Sequence, residues 1–207
     1  MKASQLIDHY RKSEAVAAIV ALCNSNEPFR INLKGLTGSS TAVVAASVFT
    51  NAGPLHLIVL PEKEEAAYFF NDLENLLGEQ ETPFHKKKVL FFPTTYRRPY
   101  EIEKTDNINV LSRTEVMKRI GTREGGTLVV TYPEALAEKV VSKAYLKKNT
   151  LRMGLGENLS IDFVIDLLTE YNFDRVDFVI EPGQFSIRGG IVDVFSFTND
   201  RPYRIEF

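Results

Sequence analysis

The sequence contains little cysteine, no long apolar run and no excess of either charge. Its single cysteine, Cys23, excludes a disulfide within the chain and is typical of a reducing compartment. No stretch approaches the roughly 18 uninterrupted apolar residues of a membrane span, and Asp8 and Arg11 interrupt the region where a secretory signal would be apolar. A net charge of −2 gives no overall attraction for nucleic acid or anionic membranes. We therefore expect a cytoplasmic protein without a membrane partner.

Common catalytic and metal-binding motifs are also missing. The three histidines, His9, His56 and His85, are scattered, and none has a second ligand at the spacing of a zinc site. The sequence has no G-x-S-x-G nucleophile motif and no H-E-x-x-H metalloprotease motif. It also lacks the D-E-x-[DH] box that binds Mg²⁺ in helicase-like ATPases. We therefore expect no metal site and no catalytic residue.

Short apolar segments alternate with longer amphipathic ones over the first two thirds of the chain. This order predicts an α/β fold, in which a parallel sheet of the P-loop NTPase (RecA-like) type carries helices on both faces. The predicted strands are 29–33, 55–60, 89–92 and 127–132, and the predicted helices are 4–11, 13–23, 40–50, 61–77, 108–120 and 133–141.

The pattern changes after about residue 143. One helix is predicted at 161–171, with Ser160 as its N-cap, and close-set strands follow at 175–180, 184–188, 191–197 and 203–207. This order predicts a smaller α+β domain with an antiparallel sheet. We place the two domains at residues 1–145 and 146–207. The last predicted strand runs to the final residue, so we expect the chain to be a fragment of a longer protein, truncated in its second domain.

A glycine-containing loop carries the most specific motif of the first domain. Residues 35–42 (GLTGSSTA) lie between a predicted strand and a predicted helix, as a P-loop, G-x-x-x-x-G-K-[ST], does. In a working P-loop the lysine reaches the β- and γ-phosphates and the last hydroxyl binds Mg²⁺. This chain has Thr41 and Ala42 there. We therefore predict a vestigial nucleotide-binding loop, formed by Gly35, Gly38, Ser39, Ser40 and Thr41. The helix N-terminus keeps binding of an anion open as an alternative.

Charged and aromatic residues occur together in two places. Residues 96–100 (YRRPY) combine cations with aromatic rings, which can bind nucleic acid. Three acidic residues follow within six positions, so a solvated loop is the better interpretation. In the second domain, Arg175, Phe185 and Arg188 lie on neighbouring predicted strands. Arginine and aromatic side chains are enriched at interface hot spots. The alternative is that Arg188 pairs with a local carboxylate and Phe185 belongs to the core.

Several linked segments resemble the excision-repair protein UvrB and the N-terminal, UvrB-like module of bacterial transcription-repair coupling factors, the Mfd family. Residues 35–41, 57–61 and 89–93 resemble the first domain of UvrB. Residues 181–195 (EPGQFSIRGGIVDVF) and 203–207 (YRIEF) are more similar to the coupling factors. The resemblance covers nearly the whole chain, and its second half is the more specific part.

The resemblance implies a module that keeps the nucleotide-binding fold and lacks its chemistry, so that no cofactor is expected for this chain. ATP and Mg²⁺ would belong to the motor part of the parent protein, an ATP-dependent DNA translocase, and RNA polymerase and DNA would bind other parts of it. The second domain would recruit UvrA through Arg175, Phe185 and Arg188. Arg188 matches one arginine of the UvrB motif, whereas Ser186 replaces the other.

Two other functions compete with a UvrA-recruiting module in nucleotide excision repair. The first is a divergent UvrB-type ATPase fragment, and the second is an anion-binding regulatory domain. The substitutions at residues 41 and 42 decide against the ATPase. The region 94–108 is also too short for the long tyrosine-rich hairpin with which UvrB threads DNA, so we do not expect damage verification by this chain.

Overall fold

The computed structural model describes residues 3–25, 27–53, 55–95, 106–122, 126–140, 151, 153–197, 199 and 201–207. Its helices are α1 (Ala3–Arg11), α2 (Glu14–Cys23), α3 (Ser40–Phe49), α4 (Lys63–Leu77), α5 (Asn107–Thr122), α6 (Pro133–Ala137) and α7 (Ile161–Glu170). Its strands are β1 (Leu55–Val59), β2 (Val89–Phe91), β3 (Thr127–Thr131), β4 (Asp174–Arg175), β5 (Gln184–Arg188), β6 (Ile191–Phe195) and β7 (Tyr203–Glu206).

The chain divides into two compact units. The first comprises residues 1–93 and 116–137, and the second comprises residues 94–115 and 138–207. The first unit contains a parallel sheet with strand order β1-β3-β2, flanked by helices, and the second contains a separate four-stranded sheet. The predicted α/β class with a smaller α+β part is thereby confirmed. The domain bounds 1–145 and 146–207 stay a prediction.

The central strand of the first sheet is β3, which pairs with β1 and β2 on either side and is buried along its whole length. An uninterrupted apolar strand is what a parallel sheet covered by helices requires. Its side chains share one core with α3 and α4. The fully buried members of that core are Ala42, Ala46, Ala66, Leu73, Val89, Leu128, Val130 and Ala135.

Two local signals explain where α4 and β2 lie. Gly78 follows α4 with φ of 70°, the left-handed conformation that glycine adopts most easily at a helix C-terminus. Glu79 then turns back into the protein, where its carboxylate accepts hydrogen bonds from the backbone N–H groups of Lys88 and Val89 at 2.7 and 2.8 Å. The start of β2 is therefore held by the end of α4.

The predicted strand at residues 29–33 is wrong. The structure describes this segment without regular secondary structure, and the side chains of Phe29, Ile31 and Leu33 are exposed. Alternating apolar residues predict a strand only if a sheet can pair with them and cover one face. Here the apolar face remains open to solvent.

The parallel sheet has flanking helices, as predicted, but one side of β1 is open to solvent. Its alternate residues Leu55, Leu57 and Val59 are about half exposed. In the described part of the chain β1 has a pairing partner on one side only, because it lies at the edge of the sheet. The first unit therefore presents apolar side chains along an edge strand.

In the second unit, α7 packs against one face of the sheet β4-β5-β6-β7. Ser160 caps this helix as predicted, because its Oγ accepts a hydrogen bond from the N–H of Phe163 at 3.1 Å. The strands β5, β6 and β7 are antiparallel, whereas β4 pairs with β5 in parallel, so the sheet is mixed. The core of this unit contains Val164, Leu168, Phe185, Val192 and Val194.

The predicted strand at 175–180 is wrong over most of its length, since β4 ends at Arg175. The side chain of Gln184 binds the far end of this segment. Its Oε1 accepts the backbone N–H groups of Ile180 and Glu181 at 2.9 and 3.0 Å, so the N–H of Ile180 does not donate to a neighbouring strand. The turn that follows needs glycine, because Gly183 has φ of 86° and an added Cβ would approach Phe197 to 2.4 Å.

Candidate partner-binding surface

The glycine loop has the shape of a tight turn before a helix. Gly35 and Gly38 have φ of 83° and 54°, in the left-handed region. The hydroxyl of Ser40 accepts the N–H of Thr37 at 2.8 Å and donates to the carbonyl of the same residue at 2.7 Å. The Ser40 hydroxyl therefore provides hydrogen-bond partners for both backbone groups of Thr37.

The two positions that carry P-loop chemistry now have different environments. Ala42 is fully buried in the core of the first unit, so its methyl group packs where a P-loop has a Mg²⁺-binding hydroxyl. Thr41 is exposed and neutral. A neutral side chain cannot replace the charge with which a P-loop lysine stabilises phosphate. At the start of α3, one of these two side chains is thus packed in the core and the other faces solvent.

Two other charged segments of the sequence, residues 96–100 and 86–88, are candidate sites. Residues 96–100 lie outside the described residues. In the basic run 86–88, Lys87 pairs with Glu74, whose side chain is mostly buried. Within the described ranges, no three His, Cys, Asp or Glu side chains lie close enough together to hold a metal ion. The described helices are also too short or too polar to span a membrane.

The second unit has a row of three polar residues on the face of its sheet that points away from α7. Residues Ser186, Asp193 and Arg204 are aligned across β5, β6 and β7. Arg204 donates from Nε to Asp193 Oδ1 at 2.8 Å and from Nη2 to Oδ2 at 3.0 Å. This two-point geometry fixes both planar groups. The hydrogen bond from Arg204 holds the pKa of the Asp193 carboxyl below its usual value.

The lowered pKa of Asp193 predicts a pH-dependent contribution to stability. The carboxylate form is favoured in the folded chain, so the contribution is complete above the unfolded pKa of about 4 and is lost as pH falls through the lower folded pKa. In urea unfolding, Asp193→Asn should be less stable than the original chain at pH 7, and this difference should shrink towards pH 2.5. An equal difference at both pH values would contradict the assignment. The effect should be small, because Arg204 is about half exposed.

Arg188 ends β5 next to this row. Its guanidinium carbon lies 5.0 Å from the ring centroid of Phe178, and its Nη2 donates to the carbonyl of Asp177 at 3.3 Å. Nη2 is 4.0 Å from Asp193 Oδ2, a carboxylate that Arg204 already binds at two points. The Arg188 side chain is 52% exposed. Arg188 is thus oriented by its neighbours and remains accessible to a partner.

The structure separates the three predicted anchors. Arg175 is exposed and in register with Phe185, which places it towards the α7 side of the sheet, whereas Arg188 lies on the opposite face. Phe185 is 1% exposed and belongs to the core, so it stabilises the sheet and is not accessible to a partner. Ser186 is also buried, at 2% exposure. Arg188 is therefore the predicted anchor with the best access on the open face.

Sequence reasoning missed two exposed apolar residues in the segment between β4 and β5, one of which contacts Arg188. Phe178 and Ile180 are 69% and 74% exposed. Both were placed in a continuous strand, where alternate side chains would have packed on the sheet. The one sequence signal for an exposed apolar pair was the spacing of two residues between Phe178 and Ile180. That spacing is also typical of a strand, so it did not reveal that both side chains are exposed.

Residues 151–207 match the family model described as the UvrB interaction domain. The matched residues contain α7, the four-stranded sheet and Arg188, so the match falls on the surface described above.

Curated relatives extend the similarity to most of the chain. The transcription-repair-coupling factor of Bacillus subtilis is 26% identical over 84% of this chain, and that of Escherichia coli is 26% identical over 83%. The UvrABC system protein B of Nitratidesulfovibrio vulgaris is 26% identical over 94%. The chain spans only 14% of the length of each coupling factor and 29% of the UvrABC protein. The predicted resemblance to the UvrB-like module of coupling factors is confirmed.

Proposed function

We propose that this chain is a non-catalytic module of a transcription-repair coupling factor and that its UvrB interaction domain recruits UvrA. The match of residues 151–207 to that domain carries the proposal. The similarity to coupling factors over more than four fifths of the chain supports the wider assignment. In the parent protein, the module would bring UvrA to stalled transcription complexes during nucleotide excision repair. RNA polymerase, DNA, ATP and Mg²⁺ would bind elsewhere in that protein.

Charge and accessibility support a docking role for the open face of the second sheet. Residues 151–207 contain five Lys or Arg and ten Asp or Glu, so Arg188 is a cation in a mainly acidic domain. Arginine can bind a carboxylate at two points, which gives both attraction and orientation. A partner carboxylate at Arg188 would therefore fix the direction of docking.

Direct binding between the purified chain and purified UvrA tests this function. Isothermal titration should show a saturable complex. Adding a hundredfold excess of bovine serum albumin should not compete with it, because specific docking depends on complementary surfaces and not on general stickiness. Failure to bind UvrA at micromolar concentrations of both proteins would reject the recruiting function.

We further propose that the chain neither binds ATP usefully nor hydrolyses it. Phosphoryl transfer depends on positioning and on neutralising charge, and the environments of Thr41 and Ala42 provide neither the cation nor the metal-binding hydroxyl. Calorimetric titration with ATP and Mg²⁺ should show no binding at micromolar concentrations. Micromolar affinity with Mg²⁺-dependent turnover would instead favour a divergent ATPase.

A parallel titration with inorganic phosphate tests the remaining alternative, an anion-binding regulatory domain. Phosphate bound with an affinity similar to that of ATP, without turnover, would favour an anion-binding regulatory domain. We expect neither ligand to bind, because Ser40 already bonds to the N–H and the carbonyl of Thr37 within the loop.

A further inference from the structure

Two exposed apolar residues, Phe178 and Ile180, lie two positions apart in the segment between β4 and β5, and we call them the ridge. The ring of Phe178 contacts Arg188, and the backbone of Ile180 is bound by Gln184. Both side chains are more than two-thirds exposed. Single exposed apolar residues are common on protein surfaces, so exposure alone does not mark a binding site. The arrangement around these two residues is more specific.

The backbone of the ridge is held by residues of β5. The N–H of Val176 donates to the carbonyl of Phe185 at 2.9 Å. Gln184 Oε1 accepts the N–H groups of Ile180 and Glu181, and Arg188 donates to the carbonyl of Asp177. The ridge is thus fixed at both ends and in the middle. A pre-organised surface loses less conformational entropy when it binds a partner.

Phe178 and Arg188 form one composite group. The guanidinium lies over the ring at 5.0 Å from its centroid, which is a favourable distance for a cation–π contact. This contact orients Arg188. A guanidinium has five N–H donors, and one of them donates to the carbonyl of Asp177. The nearest carboxylate of the open face, that of Asp193, is bound at two points by Arg204. The composite group therefore offers an apolar surface and a directed cation side by side.

We propose that Phe178 and Ile180 form the apolar centre of the docking surface and that Arg188 forms its charged flank. This inference rests on the proposed recruitment of UvrA. The complementary surface of UvrA is an apolar pocket with a carboxylate at its edge. Burial of the ridge provides most of the affinity, and the arginine–carboxylate pair sets the orientation.

Truncation of the ridge tests this proposal. Phe178→Ala and Ile180→Ala should each weaken UvrA binding at least tenfold in isothermal titration, because each removes apolar area from the centre of the interface. Ile180→Ala is the second test of the ridge, since Phe178→Ala also removes the ring that orients Arg188. The matched control is Tyr68→Ala, which truncates a 76% exposed aromatic side chain of the first unit and should leave the affinity within twofold of the original.

The binding measurements distinguish a failure of the ridge proposal from a failure of the proposed recruiting function. If the original chain binds UvrA and both ridge variants bind within twofold of it, the ridge proposal is wrong while the recruiting function stands. If the original chain does not bind UvrA, the function fails and the ridge proposal fails with it. Both ridge side chains are exposed, so thermal unfolding of the variants should match the original. A variant that melts earlier is replaced by Phe178→Ser or Ile180→Ser, to which the same tenfold criterion applies.

Discussion

Phe185→Ala is expected to lower the free energy of unfolding of the second unit by about 3–5 kcal/mol, the usual cost of truncating a buried phenylalanine. Phe185 is 1% exposed and packs with α7 and with Val192 and Val194. Its removal would leave a cavity that the surrounding strands fill only partly. Urea unfolding monitored by circular dichroism measures the total change. Hydrogen exchange of the β5 and β6 amides, compared with those of β3, assigns it to the second unit.

Phe178→Ala is the matched control for Phe185→Ala, because it removes the same ring from a position that is 69% exposed. Its effect on stability should stay within about 0.5 kcal/mol, as for most surface substitutions. If both variants unfold at the same urea concentration, the burial of Phe185 is not what stabilises this unit. Phe185→Ala is unsuitable as a binding test, since lost folding would be mistaken for lost contact.

Arg188→Ala is expected to weaken UvrA binding by about 30-fold, which corresponds to about 2 kcal/mol, the level of an interface hot spot. Arg188→Lys should recover only part of this loss, because lysine keeps the charge and cannot form the two-point contact with a carboxylate. Titration calorimetry at fixed ionic strength measures both variants after equal thermal unfolding has been verified.

Two arginine variants serve as comparisons for Arg188→Ala. Arg11→Ala removes one exposed charge from α1 in the first unit and controls for net charge, so its affinity should match that of the original chain. Arg175→Ala tests the second predicted anchor, on the α7 side of the sheet. A chain with Arg188→Ala that binds UvrA like the original would place the charged anchor elsewhere.

The sequence predicted the elements whose ends carry strong local signals. The left-handed Gly78 closes α4, Ser160 caps α7, and Gly189 allows the tight turn between β5 and β6 with φ of 59°. The buried strand β3 was also predictable, because a short, uninterrupted apolar run between helices is typical of a central parallel strand. These features depend on neighbours close in sequence.

Features that depend on distant partners could not be predicted. Residues 29–33 have strand-like alternation, yet no sheet covers their apolar face. The segment after Arg175 also alternates, but its far end is bound by the side chain of Gln184, which accepts the backbone N–H groups of Ile180 and Glu181. Nor could the sequence reveal that the Glu79 carboxylate accepts the first N–H groups of β2.

The candidate surface was predicted only in part, for the same reason. The position of Arg188 follows from alternation along β5, and the alternation also places Phe185 in the core. The exposure of Phe178 and Ile180 depends on where β4 ends, which the sequence did not show. The bidentate contact between Arg204 and Asp193 required the register of β6 and β7.

The apolar edge strand β1 has a practical consequence for handling the purified chain. Exposed apolar strands at a sheet edge favour pairing between molecules, and Leu55, Leu57 and Val59 are all partly exposed there. Self-association should therefore increase with protein concentration and could imitate saturation in a titration. Light scattering across the working concentrations defines the range in which a measured stoichiometry refers to single chains.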